Sequence, residues 1–270
     1  FFGDEYFFGD EYFFDGDLFF EDTFFEDTFF EDDFVFISEE EFFGVNLVSD
    51  VTEFTGGAGT LANGLVDTLS GLTLTGSASF IGNTTADEGS AGFFNSLNFG
   101  TVDGDSFSLG KGIVLTSGDG TPNNTNSAIG FTGFASGSGD SDLNTLLSTT
   151  GHSSTTTDAT ILEFTFTVAS GVNAIIFDFM FGTDEFNEQS VTDVAAVFVD
   201  GTNFAFFPDD SILHFDNGSN EFNFFNNTSA ALGIEYDGIS KPDVIVGLLN
   251  TSLSIHTVKI AVSATADTSV

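Results

Sequence analysis

Residues 161–201 read ILEFTFTVASGVNAIIFDFMFGTDEFNEQSVTDVAAVFVDG, and this stretch decides the fold that we expect for the chain. Apolar and polar residues alternate over Leu162–Val168, which is typical of a half-buried strand. The nearly continuous apolar run Ala174–Phe181 predicts a second strand, covered on both faces. A third strand is expected over Asp193–Asp200, because Asp200-Gly201 is a hairpin turn signal. The stretch therefore predicts a β-rich core.

An acidic loop, Gly182–Glu188, separates the second of these strands from the third. Calcium binds about six to eight carboxylate and carbonyl oxygens, which proteins often gather from loops. We therefore expect a Ca²⁺ site at one end of the sandwich, with ligands from Asp184, Glu185, Asp193, Asp119 and Asp158. The spacing is not that of an EF-hand, so the alternative is that these carboxylates are solvated surface groups.

The charge balance excludes several classes of partner. The 270 residues include 3 Lys, no Arg and 42 Asp or Glu, for a net charge of −39. Nucleic acid is excluded because binding it requires cations that neutralise phosphates, and anionic membrane surfaces are disfavoured for the same reason. So much like charge favours a requirement for bound divalent cations. No apolar run is long enough to span a membrane, and the chain has no Cys for disulfides or thiolate sites.

The rest of the chain predicts short strands joined by turns rich in Gly, Ser, Thr, Asn and Asp. The expected strands include Leu72–Ile81, Ile234–Gly238, Val244–Leu249 and Ser254–Ala264. One helix is predicted over Thr60–Ser70, where Thr60 can act as the cap. Residues 117–157 are expected to form a long connection with a short apolar turn at Leu143–Leu147. This pattern predicts an all-β fold, a two-sheet sandwich of jelly-roll type with one short helix and an extended N-terminal arm.

Residues 1–33 repeat a pair of Phe before an acidic turn, as FFGDEY, FFGDEY, FFDGDL, FFEDT, FFEDT and FFEDD. Adjacent side chains of a strand point to opposite faces, so both rings are buried only between two layers or two subunits. A disordered acidic tail is the alternative, but such tails are poor in aromatic residues. We expect residues 1–55 to form an arm that packs on a neighbouring subunit. The expected contact residues are Phe34, Val35, Phe36, Ile37, Phe1, Phe7, Phe13 and Phe19.

From about Thr60 to Val270 the chain resembles the choice-of-anchor L domain, a module of secreted and surface-attached prokaryotic proteins. The motifs that carry the resemblance are TLANGLVDTL (60–69), KGIVLTSGD (111–119), GSGDSDLNTLL (137–147), TDATILEFTFTV (157–168), FDFMFGTDEFNE (177–188) and HTVKIAVSATADTSV (256–270). Asp184, Glu185 and Phe186 stand where the family has two acidic residues and an aromatic residue. The resemblance implies a β-rich, non-enzymatic extracellular module with no settled ligand. The family pattern also continues into one further apolar strand after the last motif, and we expect this chain to lack that strand. The N-terminal arm, residues 1–55, lies outside the family pattern.

Three functions follow as hypotheses. The first is a structural subunit of an extracellular filament or surface assembly, in which Phe34–Ile37 of one subunit adds a strand to the next. The second is a monomeric surface adhesion or glycan-binding module that uses loops 117–157 and 182–193. A secreted hydrolase is disfavoured, because His152, His214 and His256 belong to no catalytic motif. We therefore expect no enzymatic activity, and an extracellular or cell-surface location.

Overall fold

In a computed structural model of the chain, the structure describes residues 52–54, 56–66, 71–84, 89–122, 124–126, 137–151, 155–186, 192–216 and 218–265. These residues form several antiparallel sheets and two short α-helices, which confirms the prediction of an all-β, sandwich-like fold. Most of the predicted arm lies outside the described residues, and so do its eight expected contact residues. Thr52–Phe54, at the end of that arm, belong to the sandwich: the first two residues pair with a strand, and Phe54 is buried.

The strands are β1 Thr52–Glu53, β2 Leu72–Leu74, β3 Ser79–Ile81, β4 Ala91–Phe94, β5 Leu97–Val102, β6 Asp105–Leu109, β7 Gly112–Leu115, β8 Thr156–Val168, β9 Ala174–Phe179, β10 Gly182–Thr183, β11 Thr192–Val199, β12 Thr202–Asn203, β13 His214–Asp216, β14 Phe224–Asn226, β15 Gly238–Ser240, β16 Asp243–Leu248 and β17 His256–Thr265. The helices are α1 Ala58–Val66 and α2 Ser141–Thr149, with a 3₁₀ turn at Glu221–Asn223.

The largest sheet has seven strands, and its main path runs β12-β11-β17-β8-β2. β17 lies at its centre, where Val258 is opposite Phe164 of β8 on one side and Val199 of β11 on the other. The alternation predicted for β8 is confirmed, since Leu162 and Phe164 are buried and Glu163 between them is exposed. The predicted hairpin turn is confirmed as well, because the two strands that flank Asp200-Gly201 pair with each other.

Smaller sheets face the large sheet across the main apolar core. They have the orders β1-β4-β7, β16-β9 and β10-β15-β14. Phe164 and Val258 of the large sheet share this core with Phe177 of β9, Phe224 of β14 and Ile245 of β16. Burying one such side chain stabilises the fold by about 1.5–3 kcal/mol, so the core holds the two layers together.

Helix α2 was not predicted: the residues expected to form an apolar turn, Leu143–Leu147, belong to a nine-residue helix. Asp140 caps it, because its side chain accepts hydrogen bonds from the backbone N–H groups of Asp142 and Leu143. Leu143 and Leu147, one helical turn apart, are buried against the outer face of the large sheet. The prediction was wrong because it weighted the many Ser, Thr, Asn and Asp residues as loop formers.

Several predicted boundaries are corrected. Helix α1 begins at Ala58, two residues before the expected start. The expected strand Leu72–Ile81 is interrupted at Gly76, whose φ of 78° is disfavoured for other residues. Of the expected strand Ile234–Gly238, only Gly238 lies in a strand, as the first residue of β15, and residues 234–237 form a loop before it. The apolar run at β9 is not covered on both faces, because Asp178 on that strand is exposed.

Candidate functional site

Two features of the sandwich are candidates for function: an acidic cluster and an apolar groove. The acidic cluster begins after β10, where the chain turns inward. Asp184 is 1% exposed and Glu185 is 0% exposed, and Asp193, near the start of β11, is 2% exposed. Thr183 connects the two segments, since its hydroxyl donates to the carboxylate of Asp193 at 2.5 Å and accepts from the backbone N–H of Glu185 at 3.2 Å.

Three of the five predicted ligands act electrostatically on the buried side chain of Tyr236. Burial raises the pKa of Tyr236 well above its usual range, and a hydrogen bond with Thr116 opposes that shift. The negative charges of Asp184, Asp119 and Asp193 raise this pKa further. All three carboxylates are therefore within electrostatic range of one buried hydroxyl.

The other two predicted ligands are placed differently. Glu185 is buried next to Asp184, whereas Asp158 lies on β8 with a φ of 52°. One carboxylate oxygen of Asp158 accepts a hydrogen bond from the backbone N–H of Gly137. Its other oxygen, Oδ2, accepts none from the described residues. The contact that we observe for Asp158 thus leads to the loop before α2, not to the hydroxyl of Tyr236.

Two further buried acids flank Tyr236 and were missed by the sequence analysis. Glu235 is 0% exposed and Asp237 is 4% exposed. Their loop is held by the buried side chain of Asn227, whose amide donates to the carbonyl oxygens of Ile234 and Tyr236, both at 3.0 Å. The sequence Ile234–Gly238 alternates like a strand, so nothing in it indicated that its carboxylates would turn inward.

The basic residues are too few to neutralise the buried acids. Seven carboxylates are buried among the described residues: Asp140, Asp158, Asp184, Glu185, Asp193, Glu235 and Asp237. The whole chain has 3 Lys and no Arg. Lys241 pairs with the exposed Asp105 at 2.5 Å, and Lys259 pairs with Asp140 and Asp142, both at 2.7 Å. Because buried charge is costly unless compensated, most of these carboxylates need protons, hydrogen-bond donors or bound cations.

The cluster does not close around an ion as it stands. No group of three or more His, Asp or Glu side chains in the described ranges has a geometry that could hold a metal ion. One carboxylate oxygen of Asp119 is already used in local hydrogen bonds: its Oδ1 accepts from the backbone N–H of Thr121 at 2.8 Å and from the Thr121 hydroxyl at 2.7 Å. The donor chemistry fits a hard cation, but binding would require the carboxylates to move closer together.

The second feature is an apolar groove between β7 and β9. In the described part of the chain each of these strands lies at the edge of its sheet, β7 beside β4 and β9 beside β16. Residues of both strands line a cavity of about 200 Å³, among them Ile113 and Phe177. Its floor is the large sheet, through Ala195 of β11 and through Ile260 and Val262 of β17.

The groove continues into a second cavity, of about 140 Å³, which reaches Thr116 and Tyr236 beside the acidic cluster. Phe94, Ile113 and Phe181 line both cavities, so the two are adjacent. At the other end, Lys111 and the exposed Asp178 line the first cavity. The two layers of the sandwich are therefore incompletely closed along a line that runs from Lys111 towards Tyr236.

Comparison with known proteins identifies a family. The family model of the choice-of-anchor L domain matches residues 60–242, which is more than half of the chain. The matched range contains both edges of the groove and all five predicted ligands. No curated protein and no solved structure matches the chain. None of the helices in the described ranges is long and apolar enough to cross a membrane.

Proposed function

The chain belongs to the choice-of-anchor L domain family, and on this basis we propose that it is a structural subunit of an extracellular filament or surface assembly. Membership makes it a surface-associated or secreted protein. The finer function, polymerisation by strand addition through the N-terminal arm, is supported by one observation above all, the apolar groove between the edge strands β7 and β9.

Strand addition needs an acceptor with open edges and an apolar floor. An edge strand presents unpaired backbone N–H and C=O groups that can template another strand, and here two such edges border one groove. Each Phe that an arm buried would contribute about 1.5–3 kcal/mol. Because association costs about 4–15 kcal/mol, several Phe side chains are needed, and the repeats of residues 1–33 supply them.

Deletion of residues 1–50 tests this function and leaves β1 and the buried Phe54 in place. We expect the full chain to form filaments or large assemblies in negative-stain microscopy, and the deleted chain to be a soluble monomer in size-exclusion chromatography. A matched deletion of residues 1–33 retains Phe34–Ile37 and should assemble, but more weakly. Filaments that persist without residues 1–50, or a full chain that stays monomeric, would contradict the proposal.

Calcium binding at the acidic cluster is the second part of this proposed function. It is supported by the three carboxylates that act electrostatically on Tyr236 and by the shortage of Lys and Arg. Asp184, Asp193 and Asp119 would hold the ion, with Glu185 the nearest additional carboxylate in sequence. A bound Ca²⁺ would neutralise charge that the sandwich otherwise has to bury, and it would fix the end of the groove.

Thermal unfolding with Ca²⁺ and with a chelator tests the metal. Ca²⁺ at about 100 times its dissociation constant adds about 2.7 kcal/mol, which raises Tm by about 5–10 °C for a domain of this size. Asp184→Asn should abolish the increase, whereas Asp103→Asn, at an exposed turn, should leave it unchanged. If the chelator has no effect and Asp184→Asn raises Tm by itself, the cluster is simply destabilising charge.

A monomeric glycan-binding module is the second candidate function, and a hollow with several charged and polar side chains in its lining favours it. The hollow has a volume of about 410 Å³ and is lined by Asp142, Glu163, Asn203 and Lys259, with the ring of Phe198 beneath the Lys259 ammonium at 5.5 Å. Carboxylates, an amide and an ammonium are suitable partners for sugar hydroxyl groups. Binding of the full chain to a glycan array that is lost in Glu163→Gln, together with a concentration-independent monomer, would favour this function over assembly.

A further inference from the structure

We propose that the groove between β7 and β9 accepts the segment Phe34–Ile37 of a second copy of the chain, with Phe34 and Phe36 as its two anchors. This inference rests on the proposed function and adds the acceptor site, the anchors and the strand face. It follows from the size of the two cavities, from their adjacency and from the pattern of Phe in the arm.

Each cavity has room for about one aromatic ring. A dry apolar cavity of about 150 Å³ takes up benzene, and the two cavities here measure about 200 and 140 Å³. Both are bordered by Ile113, Leu115 and Phe181. Residues i and i+2 of a strand lie on the same face about 6.6–6.8 Å apart, so two neighbouring cavities suit two rings at that spacing.

The arm contains one pair of Phe residues at positions i and i+2. Within residues 1–55, Phe34 and Phe36 are the only two Phe separated by one residue. The Phe residues of each pair in residues 1–33 are adjacent in sequence, and adjacent side chains of a strand point to opposite faces, so a pair bound as a strand would offer the floor of the groove only one ring. With Phe34 and Phe36 directed at the floor, Val35 and Ile37 point outward. A shift by one residue would reverse the two faces, which makes the register testable.

Charge favours this segment as the occupant, and sheet topology favours its arrival from a second copy. Acidic triplets, Glu31-Asp32-Asp33 and Glu39-Glu40-Glu41, flank the proposed strand, and one of the three Lys of the chain, Lys111, lies at the groove. The arm joins the sandwich at β1, the edge of the sheet β1-β4-β7 that is farthest from the groove. Delivery of the arm to a neighbour therefore avoids crossing its own sheet.

Paired substitutions in the arm test the anchors without altering the described core. Phe34→Ala with Phe36→Ala should abolish assembly, or raise the concentration required for it at least tenfold. Val35→Ala with Ile37→Ala should change that concentration no more than threefold. Equal effects of the two pairs, or a larger effect of the second pair, would overturn the assignment of anchors. If the full chain assembles through residues 1–50 and yet tolerates loss of both anchors, the proposed function stands and this inference fails.

Cross-linking tests the acceptor directly, because the chain has no Cys of its own. We would mix full chains that carry Ile37→Cys or Val35→Cys with size-tagged chains that carry Asp178→Cys, at the exposed face of β9. A disulfide-linked heterodimer is expected from at least one of these mixtures. Chains with Ile81→Cys, 58% exposed on β3, are the control and should give none. A cross-link that forms only within chains carrying both substitutions would show insertion into the chain's own groove and would overturn the proposal.

Discussion

The substitution Asp140→Ala tests how helix α2 is fixed to the large sheet. The carboxylate of Asp140 accepts from the backbone N–H groups of Asp142 and Leu143 at 3.0 and 3.1 Å, and from the ammonium of Lys259 at 2.7 Å. Loss of an N-cap costs about 1 kcal/mol, and loss of a charged hydrogen bond about 1.5–3 kcal/mol. In the variant Lys259 still pairs with Asp142, so we take the lower part of the range for the charged hydrogen bond. The expected total loss of unfolding free energy is about 3 kcal/mol.

Asp142→Ala is a control, because it also removes one carboxylate partner of Lys259. The Asp142 side chain is 56% exposed and lies 2.7 Å from Lys259, so its loss should cost less than about 1 kcal/mol. In thermal unfolding followed by circular dichroism, the expected decreases in Tm are about 6–12 °C for Asp140→Ala and below about 4 °C for Asp142→Ala. In 1 M NaCl only the ion-pair part should shrink. Equal decreases for both variants would refute the role assigned to burial and capping.

Two further predictions concern the buried contact between Asp200 and His256 and a tight backbone contact. Burial raises the pKa of Asp200, but hydrogen bonds from two backbone N–H groups and the His256 ring lower this pKa by more. Ionised Asp200 therefore stabilises the folded chain above the usual pKa of about 3.9, and this stabilisation is lost as the pH falls through the lower pKa of the folded state. Asp200→Asn should therefore reduce the loss of unfolding free energy between about pH 4 and pH 2, and an unchanged slope would contradict this. A Cβ on Gly139 would lie 1.8 Å from the Thr156 carbonyl oxygen, so Gly139→Ala should cost at least about 2 kcal/mol in urea unfolding. Gly59→Ala, in α1 with nothing within 4 Å, should instead stabilise the chain by about 0.5–1 kcal/mol, and a similar cost for both variants would refute the steric reasoning.

The strands that were predicted well are those whose local pattern and tertiary role agree. β8 and β17 alternate in sequence and lie in the middle of a sheet, so their period of two is visible without the fold. Helix α2 was missed because its signal is a single cap at Asp140 and three leucines, at positions 143, 146 and 147, within a polar segment. The helix is stabilised by packing of these leucines against the large sheet, and this tertiary contact cannot be read from the local sequence.

The candidate site was predictable only in part. Asp184, Glu185 and Asp193 follow or begin strands, so their convergence could be inferred from the order of the elements. Glu235 and Asp237 could not, because the amide of Asn227 sets the path of their loop. The groove was not predicted from the sequence, because its position between β7 and β9 depends on which strands form the sheet edges among the described residues, and that is a property of the assembled layers.

The central place of β17 has a consequence for how the chain acquires its fold. This strand joins β8 to β11, and the hydroxyl of Ser263 donates to the carbonyl oxygen of Thr157 across 106 residues of sequence. During synthesis the large sheet cannot close until residues 256–265 have emerged from the ribosome. Such long-range pairing makes folding slow. The strands β8 and β11, which are not neighbours in the large sheet, therefore stay unconnected until β17 has been synthesised and can pair with both.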